Sequence, residues 1–445
     1  MLSRFLICVY LCSSVANSDL LIRNATIIDV SAGTATPQRF ILIHNSQIAA
    51  IGPSVHAPKA TRIIDASGKF VIPGLWDMHV HLTARNQLPA YPLHGVTGVR
   101  DMGSDYDRVN LWRGEIEKGS LIGPHIETCG PPLDGVPSGD LKLPVRVVRT
   151  PEEARTVFNQ LDDESVDFIG ILPQLPRDAY FALLERARKY YSAVAGDVPA
   201  GVSALEAVEA RQKSIDHMSG ILLACSTEEK RLRQAYVQAL ERGDRDALDD
   251  LQTAAIETYD PQKADTLFRR MALFETRSVP TLGEPHEKLL EMQRAGVIIL
   301  AGTDGGKPGE SLHEELELLV AAGLTPAQAL RSATLEPAKY LNAAGSIGTV
   351  EEGKAADLVI LDADPLANIR NTRRIAGVVL AGKYFNRRSL TLAVLKEVLP
   401  NRDREGVGAC APSVSAGTTL RYGAPSVSAG TSSMIGTNGP SDPVQ

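Results

Sequence analysis

The chain has 445 residues, long enough for one large α/β unit with a small companion domain. Its 46 basic and 53 acidic residues leave a formal charge of −7, which gives no reason to expect a nucleic-acid partner. No apolar run of about 18 residues interrupts the body of the chain, which argues against a polytopic membrane protein.

At the N-terminus Arg4 precedes an apolar run from Phe5 to Cys12, and Ser13, Ser14 and Ala16 follow. A charged start, a short apolar stretch and small residues form the pattern of a secretory leader, here residues 1–18, so a secreted or periplasmic location is expected. Cys8 and Cys12 would leave with it. Cys129, Cys225 and Cys410 show no C-x-x-C spacing, so neither a disulfide framework nor a zinc knuckle is expected.

Residues 19–69 alternate short apolar runs with turns punctuated by Gly33, Gly52 and Pro53, which reads as a small antiparallel sheet. Residues 344–398 share this texture, with Leu358-Val359-Ile360-Leu361 and Val378-Val379-Leu380 as the clearest runs. The economical arrangement is one composite β-sandwich built from both ends, although pattern alone also permits two separate sheets.

Between them, residues 70–343 alternate strand-like and helix-like segments, as a parallel α/β fold does. Candidate strand ends are His79, Arg100, Thr128, Ile171, Asp197, His217, Leu282 and Asp304. Eight such ends fit a (β/α)8 TIM-type barrel, whose active site lies where strands end. Helices are predicted over 151–161, 177–190, 204–211 and 311–322; Pro151 followed by Glu152 and Glu153 is a favourable helix start. Residues 218–277 are too many for a simple loop and read as a helical insertion, with helices over 228–241 and 264–276. Beyond residue 399, Ala411-Pro412-Ser413-Val414-Ser415-Ala416-Gly417-Thr418 recurs at 424–431. Such a segment has too little apolar surface to offset ordering entropy, and a disordered low-complexity tail is expected over 399–445.

Chemistry concentrates in Phe70-Val71-Ile72-Pro73-Gly74-Leu75-Trp76-Asp77-Met78-His79-Val80-His81. On a strand, side chains repeat every second residue, so His79 and His81 project from one face and can chelate a divalent cation such as zinc. Asp304 follows the apolar run Val297-Ile298-Ile299-Leu300, the place where a barrel strand would deliver a carboxylate able to serve as general base. His94 and His125 fit no ligand spacing and are read as structural. No G-x-S-x-G elbow, G-x-G-x-x-G fingerprint or P-loop is present, which argues against a serine hydrolase, a dinucleotide enzyme and a phosphate-transfer enzyme.

Residues 73–81 resemble the first-strand signature of the amidohydrolase superfamily, in its imidazolonepropionase-like and dipeptidase-like branch. Four later segments agree in order: 95–103 with the second strand, Ser214-Ile215-Asp216-His217 with the sixth, Ala301-Gly302-Thr303-Asp304 with the eighth, and 353–361 with the return to a small β-domain. The resemblance implies a metal-dependent hydrolase of a C–N bond in a small amide or peptide, such as a dipeptide or N-acyl amino acid. It implies His79, His81, His217 and Asp304 as metal ligands, with Asp304 also the general base. His313, in Ser311-Leu312-His313-Glu314-Glu315, resembles a family motif and is a candidate for substrate contact or for orienting the Asp304 loop. Arg100 reads first as a structural ion pair with Asp101 and second as a contact for a substrate carboxylate.

Two positions depart from the family. Gly170 stands where a bridging lysine is usual, and Asp197 where a histidine is usual. Glycine offers no ligand, and aspartate is shorter than histidine, so Asp197 is a weak ligand or an outer partner. The expectation is therefore one divalent metal, zinc by its donors, or two if Asp197 completes a second site. The competing expectation, from the same two departures, is an inactive relative that binds small molecules or serves as a scaffold. The sequence leaves a homo-oligomer open.

Overall fold

The computed structural model describes residues 19–137, 143–284, 286 and 288–399. The expected leader at 1–18 and, apart from Leu399, the expected tail at 399–445 lie outside the described residues. The N-terminal segment supplies β1 (Leu20–Asp29), β2 (Thr34–His44), β3 (Gln47–Gly52), β4 (Arg62–Asp65) and β5 (Phe70–Pro73). The middle supplies β6 (Leu75–Val80), β7 (Val96–Asp101), β8 (His125–Thr128), β9 (Leu133–Asp134), β10 (Arg146–Val147), β11 (Ile169–Ile171), β12 (Val194–Gly196), β13 (Ser214–Asp216) and β14 (Arg277–Val279). The C-terminal segment adds β15 (Leu358–Leu361), β16 (Ile375–Leu380) and β17 (Lys383–Asn386).

The N- and C-terminal described segments meet in one sheet, in the order β17-β16-β15-β5-β1-β2-β3 with β4 also beside β1. The seam is the antiparallel pair β5–β15, where Val71 faces Ile360 and Ile72 faces Val359. β1 pairs with β4 from Leu20 and with β5 from Thr26, and its register against β2 shifts between those points. The assembly is thus a single branched sheet where a two-sheet sandwich was expected. Period-two alternation divides its side chains. Ile22, Ile41, Val71, Leu358 and Ile360 form the sheet's own core, whereas Ile72, Val359 and Val378 join the main core of the molecule.

The middle strands run parallel in two ladders, β6-β7-β8 and β10-β9-β11-β12-β13-β14. The ladders do not close on each other; a few backbone bonds span the joints. Asp167 N–H donates to the Thr128 carbonyl at 3.0 Å, between β8 and β11. Residues 298–304 lie between β14 and β6, with Leu300 N–H on the Ser278 carbonyl at 2.9 Å and Met78 N–H on the Ala301 carbonyl at 2.8 Å. Thr128 and Ile171 end their strands, Asp197 and His217 stand one residue beyond theirs, and Leu282 lies three beyond β14.

Helices flank these strands much as their patterns predict: Pro151–Glu164, Arg177–Tyr190, Ala204–Glu209 and Glu310–Ala321. The Thr150 hydroxyl caps the first by accepting from Glu153 N–H at 3.2 Å. The insertion holds three long helices, Glu229–Arg242, Arg245–Glu257 and Pro261–Phe274. The middle one escapes the pattern because its buried stripe is short, Ala255 with partly buried Leu251 against Leu222, Leu223 and Leu232. No described helix is long and apolar enough to cross a membrane. Cys129 and Cys225 are both buried and free.

Gly302 lets residues 298–304 approach β6. A Cβ there would lie 2.9 Å from both Cβ and N of His79 and 2.7 Å from Val279 Cγ1. Gly302→Ala is therefore expected to cost ~1–3 kcal/mol, as overpacking does. Chemical denaturation checks this, and an unchanged midpoint would contradict the contact.

Candidate metal centre

Asp77, His79 and His81 alternate along one strand and share its face. His79 is buried, 3% exposed. Its Nδ1–H donates to Asp216 Oδ2 at 2.7 Å, which leaves Nε2 3.2 Å from Asp304 Oδ1. His81 Nε2 approaches the same Oδ1 at 3.2 Å. His217 comes from the opposite side, with Nδ1 3.9 Å from Asp304 Oδ2 and its ring centroid 4.6 Å from that of His79. One donor atom from each of His79, His217 and Asp304 lies within 4.8 Å of the others. His81 falls outside this compact trio but shares its carboxylate.

The backbone is bent to make this meeting. His217, Met218, Thr281 and Asp304 all have positive φ, at 59°, 53°, 49° and 53°. Non-glycine residues adopt that region at a cost, and such residues cluster at functional sites. His217 N–H donates to the Val279 carbonyl at 2.9 Å, and its ring nitrogen Nδ1 lies 2.8 Å from the Thr281 hydroxyl. Asp304 N–H donates to the His79 carbonyl at 2.9 Å. Asp77 accepts from Thr303 at its hydroxyl, 2.8 Å, and at its N–H, 3.1 Å, so the first strand and the last segment are stitched just behind the site.

Beneath His79 sits a buried ion pair. Arg100 and Asp216 are both completely enclosed, and the guanidinium donates to Asp216 Oδ2 at 2.7 Å. It also donates to the Met78 carbonyl at 2.6 Å, to Ser214 Oγ at 2.9 Å and to the Tyr340 hydroxyl at 2.9 Å. The expected Arg100–Asp101 pair does not form, because neighbouring residues on a strand face opposite sides. Asp101 instead accepts from Ser104 and Thr128 hydroxyls, both at 2.6 Å. With its donors so committed, Arg100 is withdrawn from substrate, which corrects its second reading.

His313 is likewise corrected. It is buried in the helix Glu310–Ala321, with Nδ1 2.9 Å from the Thr372 hydroxyl and Nε2 3.0 Å from the His94 carbonyl. Both nitrogens serve packing between that helix, the 369–373 turn and the segment before β7, rather than a ligand. His125 bonds Asp357 at 3.1 Å, a structural role as read.

The electrostatics favour a cation. Burial opposes charge on His79, yet the carboxylates of Asp304 and Asp216 push its pKa up to about 10. Burial also opposes ionisation of Asp304, but His217, His79 and His81 hold it well below the usual carboxylate range. Asp216 is held low in spite of burial, chiefly by Arg100. Burial, with the two neighbouring histidines adding to it, lowers His217 to about 4. Burial, and then Asp216, raises Asp197 well above its ordinary value; it stands near these groups but outside the trio.

At the other departure, a Cβ on Gly170 would lie 2.6 Å from Cys129 Sγ. The sulfur fills the space a longer side chain would need. Of the polar support of the site, Asp77 and Asp216 carry no role in the sequence reading, and Arg100 carries a different one. Asp77 shares the two-residue spacing of the histidines, and Ser214 and Asp216 are polar residues alternating on an otherwise buried strand, so the pattern was there to find.

Comparison with known proteins fits this geometry. Residues 70–384 match the amidohydrolase family. The chain is 25% identical over 392 residues to an adenine deaminase from Rubrobacter xylanophilus, covering 81% of this chain and 57% of that protein. It thus spans little more than half the length of such relatives. It is 28% identical over 360 residues to an imidazolonepropionase from Cutibacterium acnes, covering 73% and 83% of the two chains. Among solved structures, a proposed prolidase from Bifidobacterium longum superposes with a TM-score of 0.62 at 25% identity, covering 86% of this chain and 99% of that one.

The Arg100–Asp216 pair yields a direct test. Arg100→Met leaves a buried carboxylate without its cation and is expected to cost ~3–5 kcal/mol. Adding Asp216→Asn should recover part of that loss in urea denaturation. A single variant as stable as the parent would show that the pair does not support the site.

Proposed function

This chain belongs to the amidohydrolase family, and we propose that it is a hydrolase of a C–N bond in a small substrate, with one divalent metal held by His79, His217 and Asp304. The observation that carries this reading is the convergence of those three donors within 4.8 Å. Their spacing fits an ion. His79 Nε2 and Asp304 Oδ1 are 3.2 Å apart. Two ligands about 2.0–2.1 Å from one tetrahedral zinc would be about 3.3 Å apart. The donor chemistry, imidazole and carboxylate with no thiolate, suits zinc and its neighbours in the first transition row. His81 then serves as a further ligand or as a hydrogen-bond donor to Asp304.

Bound there, the ion would lower the pKa of a water and polarise the scissile carbonyl or amidine carbon. The residues supply the rest. Asp304, anionic at neutral pH, accepts the proton from the attacking water and returns it to the leaving nitrogen. Asp216 fixes the His79 ring so that Nε2 points at Asp304, the role that carboxylates play behind metal-binding imidazoles. The filled space beside Gly170 supports a single ion in place of a bridged pair. Asp197 is then an outer partner.

Adenine deaminase, imidazolonepropionase and prolidase, the names carried by the relatives, all describe breaking a C–N bond with water. A dipeptide or N-acyl amino acid is the substrate we favour, because the prolidase neighbour is covered almost end to end. The packed surroundings of Gly170 give the inactive reading its one support, and activity decides between them.

The purified protein is expected to retain one zinc per chain by elemental analysis and to hydrolyse members of a dipeptide panel. Removal of metal should abolish turnover, and zinc should restore it. Asp304→Asn should lower kcat by about 10²–10⁴, the usual contribution of a positioned general base. Two tightly held metals would overturn the single-ion site, and a metal-loaded protein inert toward amides and adenine alike would favour the binding-protein reading.

A further inference from the structure

A cavity of about 950 Å³ lies at the end of the strands opposite His79 and Asp304. Its walls include Trp76 and Arg277 at the starts of β6 and β14, Phe168 and Lys213 just before β11 and β13, and Tyr340. A volume of this order matches small-molecule sites, which are ~300–1,000 Å³.

Two cations share the aromatic wall. Lys213 Nζ is 4.5 Å from the centroid of the Tyr340 ring, and the Arg277 guanidinium carbon is 5.9 Å from the same point. The Arg277 side chain is 9% exposed and two of its nitrogens serve Glu275, but its Nε–H is buried without an acceptor. A buried donor left unmade is costly, and in a cavity it is satisfied by what enters. Lys213 has no carboxylate within ion-pair distance among the described residues. Burial first, and then Arg277 and Arg100, depress its pKa to about 8, against the opposing pull of Glu127 and Glu275. Three of the acids on the same walls are otherwise engaged: Asp167 with Arg113, Asp357 with His125, Glu275 with Arg277. Glu127 is held up to about 7, by burial first and then by Asp167.

Tyr340 is also the first link of a path across the parallel strands. Its hydroxyl accepts from Arg100 at 2.9 Å, Arg100 donates to Asp216 at 2.7 Å, and Asp216 accepts from His79 at 2.7 Å.

We propose that this cavity binds a small carboxylate-bearing molecule with an aromatic or apolar body, and that its occupancy is felt at His79 through Tyr340, Arg100 and Asp216. The carboxylate meets Lys213 and the Arg277 Nε–H, and the body lies against Trp76, Phe168 and Tyr340. The site does not depend on what the metal centre hydrolyses.

Benzoate is the probe, titrated into the full chain by calorimetry, with the His79 ring N–H followed by NMR on histidine-labelled protein. Saturable binding is expected, with no binding of benzyl alcohol. Lys213→Met should weaken it about tenfold or more, as loss of a charge-assisted contact does. Lys213→Arg should retain it, which separates loss of charge from loss of fold. Asp304→Asn should still bind benzoate saturably, and that arm holds whether or not the upper site is a hydrolase. The His79 resonance should move in the parent and stay still in Tyr340→Phe. Absence of saturable binding, equal binding of benzyl alcohol, indifference to Lys213→Met, or loss of binding in Asp304→Asn would overturn the site; an unmoved His79 resonance would overturn the connection.

Discussion

The structure depends on a carboxylate that never meets water. Asp216 is fully enclosed, and taking a carboxylate out of water costs several kcal/mol unless the charge is matched. Arg100 matches it at 2.7 Å, and Ser214 Oγ donates to its other oxygen at 2.9 Å. The remaining acceptor capacity falls to His79 Nδ1–H. The ring therefore has one orientation, and its free nitrogen has one direction. Because Arg100 also grips the Met78 carbonyl on β6, the hydroxyl of Tyr340 and Ser214 on β13, the same pair ties β7 to its facing strands. Stability and site geometry are one network here, and neither can be altered alone.

Around that network the backbone gives way to the chemistry. Parallel strands bring their ends to a common rim, but a rim does not by itself point three side chains at one place. Positive φ at His217 and Asp304 turns those side chains inward past the strand ends. The absence of a side chain at Gly302 lets the last segment lie against His79. Asp77 holds Thr303 and so holds the loop that carries Asp304. Burial of the polar partners is what makes such strain sustainable, since every one of them is paired in the folded state.

The alternation of His79 and His81 was legible in the sequence because strand geometry is a two-residue code; Asp77 shares that spacing but was not singled out. Asp304 was legible too, since it follows a buried run and closes the series of strand ends. What sequence could not supply was partnership across the fold. Arg100 was paired with its chain neighbour Asp101, when strand alternation sends the two to opposite faces and leaves Asp216, 116 residues away, as the true partner. His313 looked like a site residue because of where it falls in the chain, yet its nitrogens are spent on Thr372 and the His94 carbonyl. Strand alternation offers His81 beside His79, whereas the tight trio contains His217, whose approach depends on a left-handed turn that no local pattern announces. The branching of the terminal sheet at β1 was hidden for a similar reason: one strand spends its two halves on different partners.

The central claim is that His79, His217 and Asp304 converge on a single cation. X-ray absorption on zinc-loaded protein tests it most directly. The account predicts a low-coordinate zinc with nitrogen and oxygen at about 2.0–2.1 Å, imidazole scattering from two or three rings, and no zinc–zinc vector. Sulfur in the first shell, a metal–metal vector, or zinc that lacks imidazole scattering would contradict it.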